Sequence, residues 1–206
     1  MTPSAVQKLG HVALVVGGDS AERAISLRGG DAVARALEKL GVQFSVVDGP
    51  RRLLEQVAAG HFDRVFNLLH GRGGEDGALQ GALRLYGVPV TGSGVLGSAL
   101  TMDKVQTKRI WQACDLPTPR WAVVGQRDQA AGVLQTLGLP LFVKPAREGS
   151  SIGMTRVDRP EQLEEAIGRA LEHDSSVLIE QLIQGREFTA ALLDDRVLPL
   201  IELKTT

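Results

Sequence analysis

Apolar residues in the first ninety positions alternate between short continuous runs and stretches with helical spacing. The run at 11–16, HVALVV, is typical of a strand buried on both faces of a sheet. After Gly17 and Gly18, apolar residues recur every three or four positions to about residue 40, which predicts a helix. The same alternation predicts strands at 44–47, 65–69 and 88–90 and helices at 50–59 and 78–86. Strands that alternate with helices indicate a parallel α/β sheet.

A second unit follows the small-residue segment TGSGVLG at 91–97, which favours a domain boundary. Its pattern predicts helices at 102–113, 126–137 and 160–171 and strands at 121–124, 141–143, 152–157 and 177–180. Two further apolar runs, 187–193 and 196–203, flank a pair of aspartates and predict an antiparallel hairpin, which alone is at best marginally stable. The chain is therefore predicted to comprise domains at 1–92 and 93–183 and the start of a third at 184–206.

Composition narrows the classes of function. A net charge of −1 with 43% hydrophobic residues favours a globular protein without the basic surface that binds nucleic acid or anionic lipid. No apolar run approaches the roughly 20 residues that span a bilayer, and positions 1–10 lack the apolar core of a signal peptide. Cys114 is the only cysteine, and we expect it to be a buried small apolar residue. These features predict a cytosolic protein.

Lysine is scarce, with 6 Lys against 17 Arg. Two of the lysines, Lys104 and Lys144, lie beside the glycine-containing motifs described below. A compact ammonium group is therefore a candidate requirement at those two positions.

The glycine pair after the first strand carries the first motif, Gly17 to Arg23. Glycines there suit a ligand that lies close to the backbone at the carboxyl end of a parallel strand. The spacing differs from G-x-G-x-x-G, so it does not indicate a dinucleotide site. Asp19 and Glu22 have the spacing of a capping box, so Glu22 is either a helix cap or a ligand contact.

The second motif is the loop from His70 to Gly77, which follows the third strand and holds four glycines and both signs of charge. Turn formation explains the glycines but not the charged residues. A histidine at the end of a strand can hydrogen-bond a substrate or titrate near neutral pH. It can equally be a buried histidine with satisfied hydrogen bonds, and both interpretations of His70 stay open.

The third motif runs from Lys144 to Met154, where a strand ends in lysine and a loop of glycines and serines turns back into another strand. Backbone N–H groups freed by glycine, together with serine hydroxyls and a lysine charge, are suited to phosphate oxygens. The segment is not G-x-x-x-x-G-K-[ST] and leads into a strand, so a P-loop does not fit. An ordinary hairpin turn with a surface lysine is the alternative.

The fourth motif is the bend between two carboxylates, Glu180 and Glu187. Such a hinge can present backbone groups and carboxylates to an adenine edge and ribose hydroxyls. Without the other motifs, two acidic residues at strand ends would be the simpler interpretation.

Five ordered segments, LHGRGGEDGALQG, VTGSGV, MDK, VKPAREGSSIGM and IEQLIQGREFT, resemble the D-alanine–D-alanine ligases of the ATP-grasp superfamily. The resemblance covers the chain from His11 to Lys204. It implies an α/β fold in which a Rossmann-like parallel-sheet domain precedes the central ATP-grasp domain and the start of the C-terminal ATP-grasp domain.

The resemblance also implies roles for particular residues. Glu22, Ser150 and His70 would bind the first D-alanine, with Glu22 and Ser150 as the catalytic pair. Contacts to ATP would come from a larger set: Lys104, Lys144, Glu148, Gly149, Ser150, Ser151, Glu180, Gln181, Ile183 and Glu187. ATP would phosphorylate one D-alanine and the amine of a second would attack the acyl phosphate.

Family members extend well past residue 206, and the part beyond normally carries a lid loop, an arginine and the ligands of Mg²⁺ or Mn²⁺. The resemblance thus places the metal ligands outside this sequence. We expect the 206-residue chain to be a fragment, or an incomplete record, that is inactive alone. The family also suggests a homodimer. A D-alanine–D-lactate ligase, another ATP-grasp carboxylate–amine ligase and a non-catalytic nucleotide-binding module are the alternatives.

Overall fold

The computed structural model describes residues 6–204. A parallel sheet with strand order β2-β1-β3 forms the first part of the chain. Its strands are β1 Val12–Val16, β2 Phe44–Asp48 and β3 Arg64–Asn67, and its helices are α1 Arg23–Lys39, α2 Pro50–Ala58 and α3 Ala78–Leu85. All five residues of β1 are buried. Ala13 and Val15 face one core and Val12, Leu14 and Val16 the other, which confirms the prediction of a strand covered on both faces.

The predicted strand at 88–90 reduces to a single bridge between Val65 and Val90. Pro89 has no N–H to donate, so the pairing consists of Val65 N–H donating to the Pro89 carbonyl and Thr91 N–H donating to the Val65 carbonyl. The prediction of a full fourth strand was therefore wrong.

An antiparallel sheet of order β4-β7-β5-β6 follows. Its strands are β4 Trp121–Val124, β5 Leu141–Pro145, β6 Thr155–Val157 and β7 Val177–Gln181. The helices around it are α4 Val95–Met102, α5 Lys104–Ala113, α6 Ala130–Leu137 and α7 Leu163–Leu171, with 3₁₀ turns at Arg127–Gln129 and Pro160–Gln162. Leu141 and Val143 of β5 lie in a core with α6 and α7, so the alternate residues Phe142 and Lys144 project from the opposite face.

Three sequence predictions about this part were wrong. The small residues at the start of α4 predicted a loop at the domain boundary, but the structure has a helix there. Asp103, with an extended backbone (φ −92°, ψ 102°), separates α4 from α5. The strand predicted at 152–157 begins only at Thr155, because the preceding residues form turns. Cys114 is exposed at the position that follows the last residue of α5.

The last strands form the predicted antiparallel hairpin. Strand β8 Glu187–Thr189 pairs with β11 Ile201–Leu203, and β9 Leu192–Leu193 pairs with β10 Arg196–Val197. Every residue of these strands is exposed. Within 6–204, none of the helices is both long enough and apolar enough to cross a membrane.

Candidate functional site

A cavity of about 590 Å³ lies where the carboxyl ends of β1 and β3 face the second sheet. The loop from Gly17 to Ala21 and the loop from His70 to Gly73 line one side, and Glu148, Glu172 and His173 line the other. Carboxyl ends of parallel strands are where α/β folds bind ligands. Two of the four sequence motifs therefore meet at this cavity, together with Glu148 of the third.

Glu22 lies beside this cavity and is only 4% exposed. It occupies the position before α1 but its side chain makes no capping hydrogen bond, so the capping interpretation was wrong. The Ser150 hydroxyl donates instead to Glu22 Oε1, across 128 residues of chain. Glu22 Oε2 has no hydrogen-bond partner among the described residues.

Two glycines make room for the Glu22 carboxylate. A Cβ atom at Gly71 would lie 2.8 Å from Glu22 Oε2, and one at Gly149 would lie 3.0 Å from the same oxygen. Each distance is shorter than an ordinary carbon–oxygen contact. The loops at 70–77 and 149–153 can therefore close on Glu22 only because those positions lack side chains.

The loop that carries Ser150 has an unusual backbone. Ser150 (φ 45°) and Ser151 (φ 62°) both adopt left-handed conformations, which cost non-glycine residues about 1–2 kcal/mol each. Gly153 follows at φ 65°, where a Cβ would lie 2.6 Å from His173 Cδ2. Such strain in a loop is characteristic of binding sites, and here it directs the Ser150 hydroxyl toward Glu22.

His70 lines the cavity and is half-buried. Its Nδ1 lies 3.4 Å from Glu75 Oε1, while Glu75 Oε2 accepts a hydrogen bond of 2.8 Å from the Gly71 N–H. The loop thus fixes its own histidine at the cavity wall. His70 therefore lies at the cavity wall beside Glu75 and is not a core histidine.

A second cavity, of about 460 Å³, lies between α5 and the outer face of the antiparallel sheet. Its walls include three lysines, Lys104, Lys108 and Lys144, which are half of the lysines in the chain. Lys104 and Lys108 share a face of α5 because they are four residues apart. The Lys104 ammonium donates to the Glu148 carbonyl, and burial first, then the Lys144 charge, lowers the pKa of Lys104.

Glu180 is the carboxylate of this cavity. Lys144 Nζ lies 2.5 Å from its Oε1 and Lys108 Nζ lies 2.7 Å from its Oε2. Burial is the largest influence and raises the pKa of Glu180, but the hydrogen bonds from Lys108 and Lys144 outweigh it and leave the pKa below its ordinary value. The cavity therefore contains three ammonium groups and one ionised carboxylate, which suits a ligand with several negative charges.

Arg72 connects the first part of the chain to the second. Its Nη2 lies 2.9 Å from Glu148 Oε1 and donates to the His173 carbonyl at 3.2 Å. Asp174 is almost completely buried and forms a two-pronged pair with Arg147, at 2.5 and 3.0 Å. These contacts place the Glu148–Gly153 loop relative to both cavities.

Some predicted residues are not brought to either cavity. Ile183 and Glu187 are exposed and line neither one. The Gln181 side chain donates to the Leu137 carbonyl at 3.0 Å, so it serves the sheet, and Ser151 is exposed. The sequence analysis did not identify Lys108, although its spacing of four residues from Lys104 places both on one helix face. It also did not identify Asp174, and no pattern in the sequence points to that residue.

Within 6–204, no group of three or more His, Cys, Asp or Glu side chains is placed to hold a metal ion. The residues described therefore do not by themselves form a magnesium site.

Known proteins supply the decisive comparison. Two profiles of one family match the chain, "D-ala D-ala ligase N-terminus" over residues 48–93 and "D-ala D-ala ligase C-terminus" over residues 110–206. The crystal structure of D-alanine–D-alanine ligase from Bacillus anthracis complexed with ATP matches with a TM-score of 0.82 and 30% identity, over 96% of this chain and 67% of that one. The chain belongs to the D-alanine–D-alanine ligase family.

Curated relatives of this ligase-family chain agree. A D-alanine–D-alanine ligase of Nitrosococcus oceani is 50% identical over 200 residues, which cover 97% of this chain and 63% of that protein. One of Azoarcus sp. (strain BH72) is 50% identical over 197 residues, covering 96% of this chain and 65% of that protein. The chain thus spans about two thirds of the length of these ligases. The expected α/β fold with ATP-grasp relatives is confirmed.

Proposed function

We propose that the full-length protein joins two D-alanine molecules at the expense of ATP, giving D-alanyl-D-alanine for peptidoglycan precursor synthesis. One observation supports this most directly. The Ser150 hydroxyl bonds the buried Glu22 carboxylate, so an acidic pocket of the first sheet and the loop beside the lysine-lined cavity meet at one point. A ligase needs this arrangement because its amino acid must lie next to the phosphoryl group it receives.

Glu22 is proposed to bind the ammonium group of the first D-alanine. A buried carboxylate oxygen without a donor costs free energy, and Glu22 Oε2 is such an atom among the described residues. An ammonium group would supply the donor and the opposite charge. His70, at the wall of the same cavity, and Ser150 would orient this substrate.

ATP is proposed to occupy the lysine-lined cavity. Lys104 and Lys144 would contact its phosphates, and Glu148 to Ser151 would close over them with backbone N–H groups and hydroxyls. Glu180 would accept from the adenine amine, beside the backbone at Gln181 and Ile183. Glu187 would bind the ribose, which requires the hairpin that begins there to lie nearer to the cavity when nucleotide is bound.

The proposed reaction has two steps. A carboxylate oxygen of the first D-alanine attacks the γ-phosphorus of ATP, and the bond to the β-phosphate oxygen breaks, giving D-alanyl phosphate and ADP. The uncharged amine of the second D-alanine then attacks the acyl carbon, and inorganic phosphate leaves from the tetrahedral intermediate as the amine loses a proton. The lysines and N–H dipoles would stabilise the negative charge that develops in both steps.

Magnesium (or manganese) is proposed as the metal, but the residues described here do not fit it, so no step is assigned to it. We propose that the remaining third of the length seen in the relatives is needed for turnover and that the 206 residues alone are inactive. A cytoplasmic location, a homodimer and domain boundaries near residues 92 and 183 complete the proposal.

Kinetics of the full-length protein test this function. We expect ADP release that depends on D-alanine, and in Glu22→Gln the KM for D-alanine should rise at least tenfold, since a charge-assisted hydrogen bond is lost. ATP affinity should change less than twofold. If Glu22→Gln leaves the kinetics for D-alanine unaltered, the proposed amino-acid site is wrong.

Lys144→Ala gives the complementary result. It should weaken ATP binding by about tenfold or more, because a phosphate contact is lost, and leave the melting temperature close to that of the unsubstituted protein. Lys39→Ala, which removes an exposed lysine at the end of α1, is the matched control and should change neither property. Equal ATP affinities in Lys144→Ala and the control would contradict the nucleotide site.

A further inference from the structure

Lys108 is the most completely bonded of the three cavity lysines. Its ammonium donates to the Thr118 hydroxyl at 2.6 Å and to the Pro119 carbonyl at 3.3 Å, and it lies 2.7 Å from Glu180 Oε2. The residue is 4% exposed. An ammonium group has three donors, and all three are used, so Lys108 has no donor left for a phosphate.

Lys144 is placed differently. Its side chain is 21% exposed, lies over the Phe142 ring at 4.9 Å and makes one contact to Glu180, at Oε1. Lys144 can therefore leave Glu180 and bind a more strongly charged anion at little cost in free energy. The antiparallel register explains the starting contact, because Phe142 is paired with Glu180, so Lys144, two residues on, lies diagonally across from Glu180 on the same face.

A nucleotide that attracts Lys144 would leave the Glu180 carboxylate without one of its two cations. A buried carboxylate with no cation either takes up a proton or turns toward another donor. An ionised carboxylate accepts hydrogen bonds only, whereas a protonated one can also donate. The protonation state and orientation of Glu180 therefore decide which nucleobase edge it can bind.

We propose that Lys108 is a positioning residue that determines the choice of base. It holds Glu180 by Oε2, so that Oε1 stays an ionised acceptor for an amino group of the base after Lys144 has turned to the phosphates. Adenine presents an amino group where guanine presents a carbonyl oxygen, and an ionised carboxylate repels that oxygen. This proposal rests on the proposed use of ATP and adds a residue that does not itself touch the nucleotide.

The test measures the affinities of the full-length protein for ADP and GDP by calorimetry at about pH 8 and about pH 5.5. The unsubstituted protein should favour ADP equally at both pH values, because the Lys108 ammonium stays 2.7 Å from Glu180 Oε2 and keeps the carboxylate ionised after Lys144 has turned away. In Lys108→Met the ADP affinity should fall about tenfold at pH 8, the loss of a hydrogen bond to a charged group. The preference of Lys108→Met for ADP over GDP should be smaller at pH 5.5 than at pH 8. Glu180 in this variant becomes protonated and can then donate to the carbonyl oxygen of guanine.

The groups that face Glu180 limit the interpretation of this pH effect. They are Lys104 and Lys108 from α5 and Lys144 from β5. An amino group does not lose positive charge as the pH falls, whereas a carboxylate can become neutral, so among these four groups Glu180 is the one that can lose its charge. Lys108→Arg keeps the charge and should restore most of the ADP preference.

Several outcomes separate the explanations. Lys39→Met is the control and should behave like the unsubstituted protein. If Lys108→Met lowers the melting temperature but keeps the ADP preference and its lack of pH dependence, Lys108 is merely structural and the proposal is overturned.

If Lys108→Met does not fold, Thr118→Val is the second variant, because it removes one hydrogen-bond acceptor of Lys108. Thr118→Val should lower the preference for ADP over GDP by about threefold, and an unchanged preference overturns the proposal. Failure of the unsubstituted protein to bind ADP would overturn the proposed use of ATP as well.

Discussion

At the scale of the residue, the geometry assigns side chains to chemistry that sequence spacing left ambiguous. Asp19 and Glu22 have the spacing of a capping box, yet the Glu22 side chain accepts from Ser150 and makes no capping hydrogen bond. Arg23, the next residue, makes a two-pronged pair with Asp48, at 2.6 and 2.7 Å. Adjacent residues therefore serve different purposes, Glu22 the candidate site and Arg23 the scaffold around it.

The Arg23–Asp48 pair gives a prediction of pH-dependent stability. The Arg23 hydrogen bond, followed by the one from Gly18, lowers the pKa of Asp48 from 3.8 to about 2. Since the pKa is lower in the folded state, the stabilisation is fully present above pH 3.8 and disappears as the pH falls toward 2. Both side chains are about 45% exposed, so solvent screening limits its size to about 0.5–1 kcal/mol.

We expect Asp48→Asn to lower the free energy of unfolding by that amount at pH 7 and by nothing measurable near pH 2. Urea denaturation at both pH values checks it. Asp31→Asn, at an exposed position in α1, is the control and should show no such dependence. A penalty for Asp48→Asn that persists near pH 2 would mean that the effect is not electrostatic.

At the scale of the element, glycines at both ends of α3 have different requirements. Gly77 (φ 91°) precedes the helix, and a Cβ there would lie 2.7 Å from the Val95 carbonyl oxygen at the start of α4. Gly87 (φ 69°) follows the helix and faces open space. Of these two glycines, Gly77 alone combines a left-handed backbone with a close approach between two helices.

Alanine substitution separates these two requirements. Gly87→Ala should cost about 1 kcal/mol of unfolding free energy, the penalty for a left-handed alanine. Gly77→Ala should cost about 2–4 kcal/mol, because overpacking against a backbone carbonyl adds to that penalty. Denaturant titration of both variants measures the difference, and equal losses would show that the α3–α4 approach is not tight.

Helix α5 shows how an element prepares the site. Asp103 caps it by accepting from the N–H groups of Val105 and Gln106, at 2.9 and 3.1 Å. Lys104 then begins the helix with its N–H donating to the Ala146 carbonyl. We expect Asp103→Ala to lose about 1 kcal/mol of stability and Asp103→Asn to lose much less, because asparagine caps as well as aspartate. Thermal denaturation tests this, and equal losses in the two variants would contradict the capping role.

At the scale of the whole molecule, contacts distant in sequence join the two sheets. Glu22 meets Ser150, and Arg72 meets Glu148 and the His173 carbonyl. The apolar side chains of the final hairpin are left uncovered by the rest of residues 6–204, since Leu192 is 67% and Val197 is 71% exposed. An uncovered apolar hairpin promotes association between chains.

We therefore expect the 206-residue chain to self-associate at high concentration. Replacing the cross-strand pair by Leu192→Lys with Val197→Glu should reduce that association, while the circular dichroism spectrum stays the same. Leu116→Lys changes an exposed leucine outside the hairpin and is the control. Light scattering checks the outcome, and equal association in both variants would place the adhesive surface elsewhere.

Most of the helices and strands, and the family, could be predicted from the order of the residues alone. Continuous apolar runs predicted β1 and the hairpin, because local periodicity is a property of the chain itself. The resemblance of the ordered motifs to a known family implied the α/β ligase fold. It failed where a neighbour decides the outcome. Pro89 could not complete a fourth strand, and the small residues of α4 gave no helical signal.

The contacts of Glu22, Lys108 and Arg72 depend on how the chain folds in three dimensions. Ser150, Glu180 and Glu148, which they respectively contact, lie 128, 72 and 76 positions away in the sequence, and no local pattern records such distances. The buried, partnerless oxygen of Glu22 and the fully bonded ammonium of Lys108 arise from packing the two sheets and α5 together. Burial and hydrogen-bond saturation are properties of that packing, so they exist only in the folded chain.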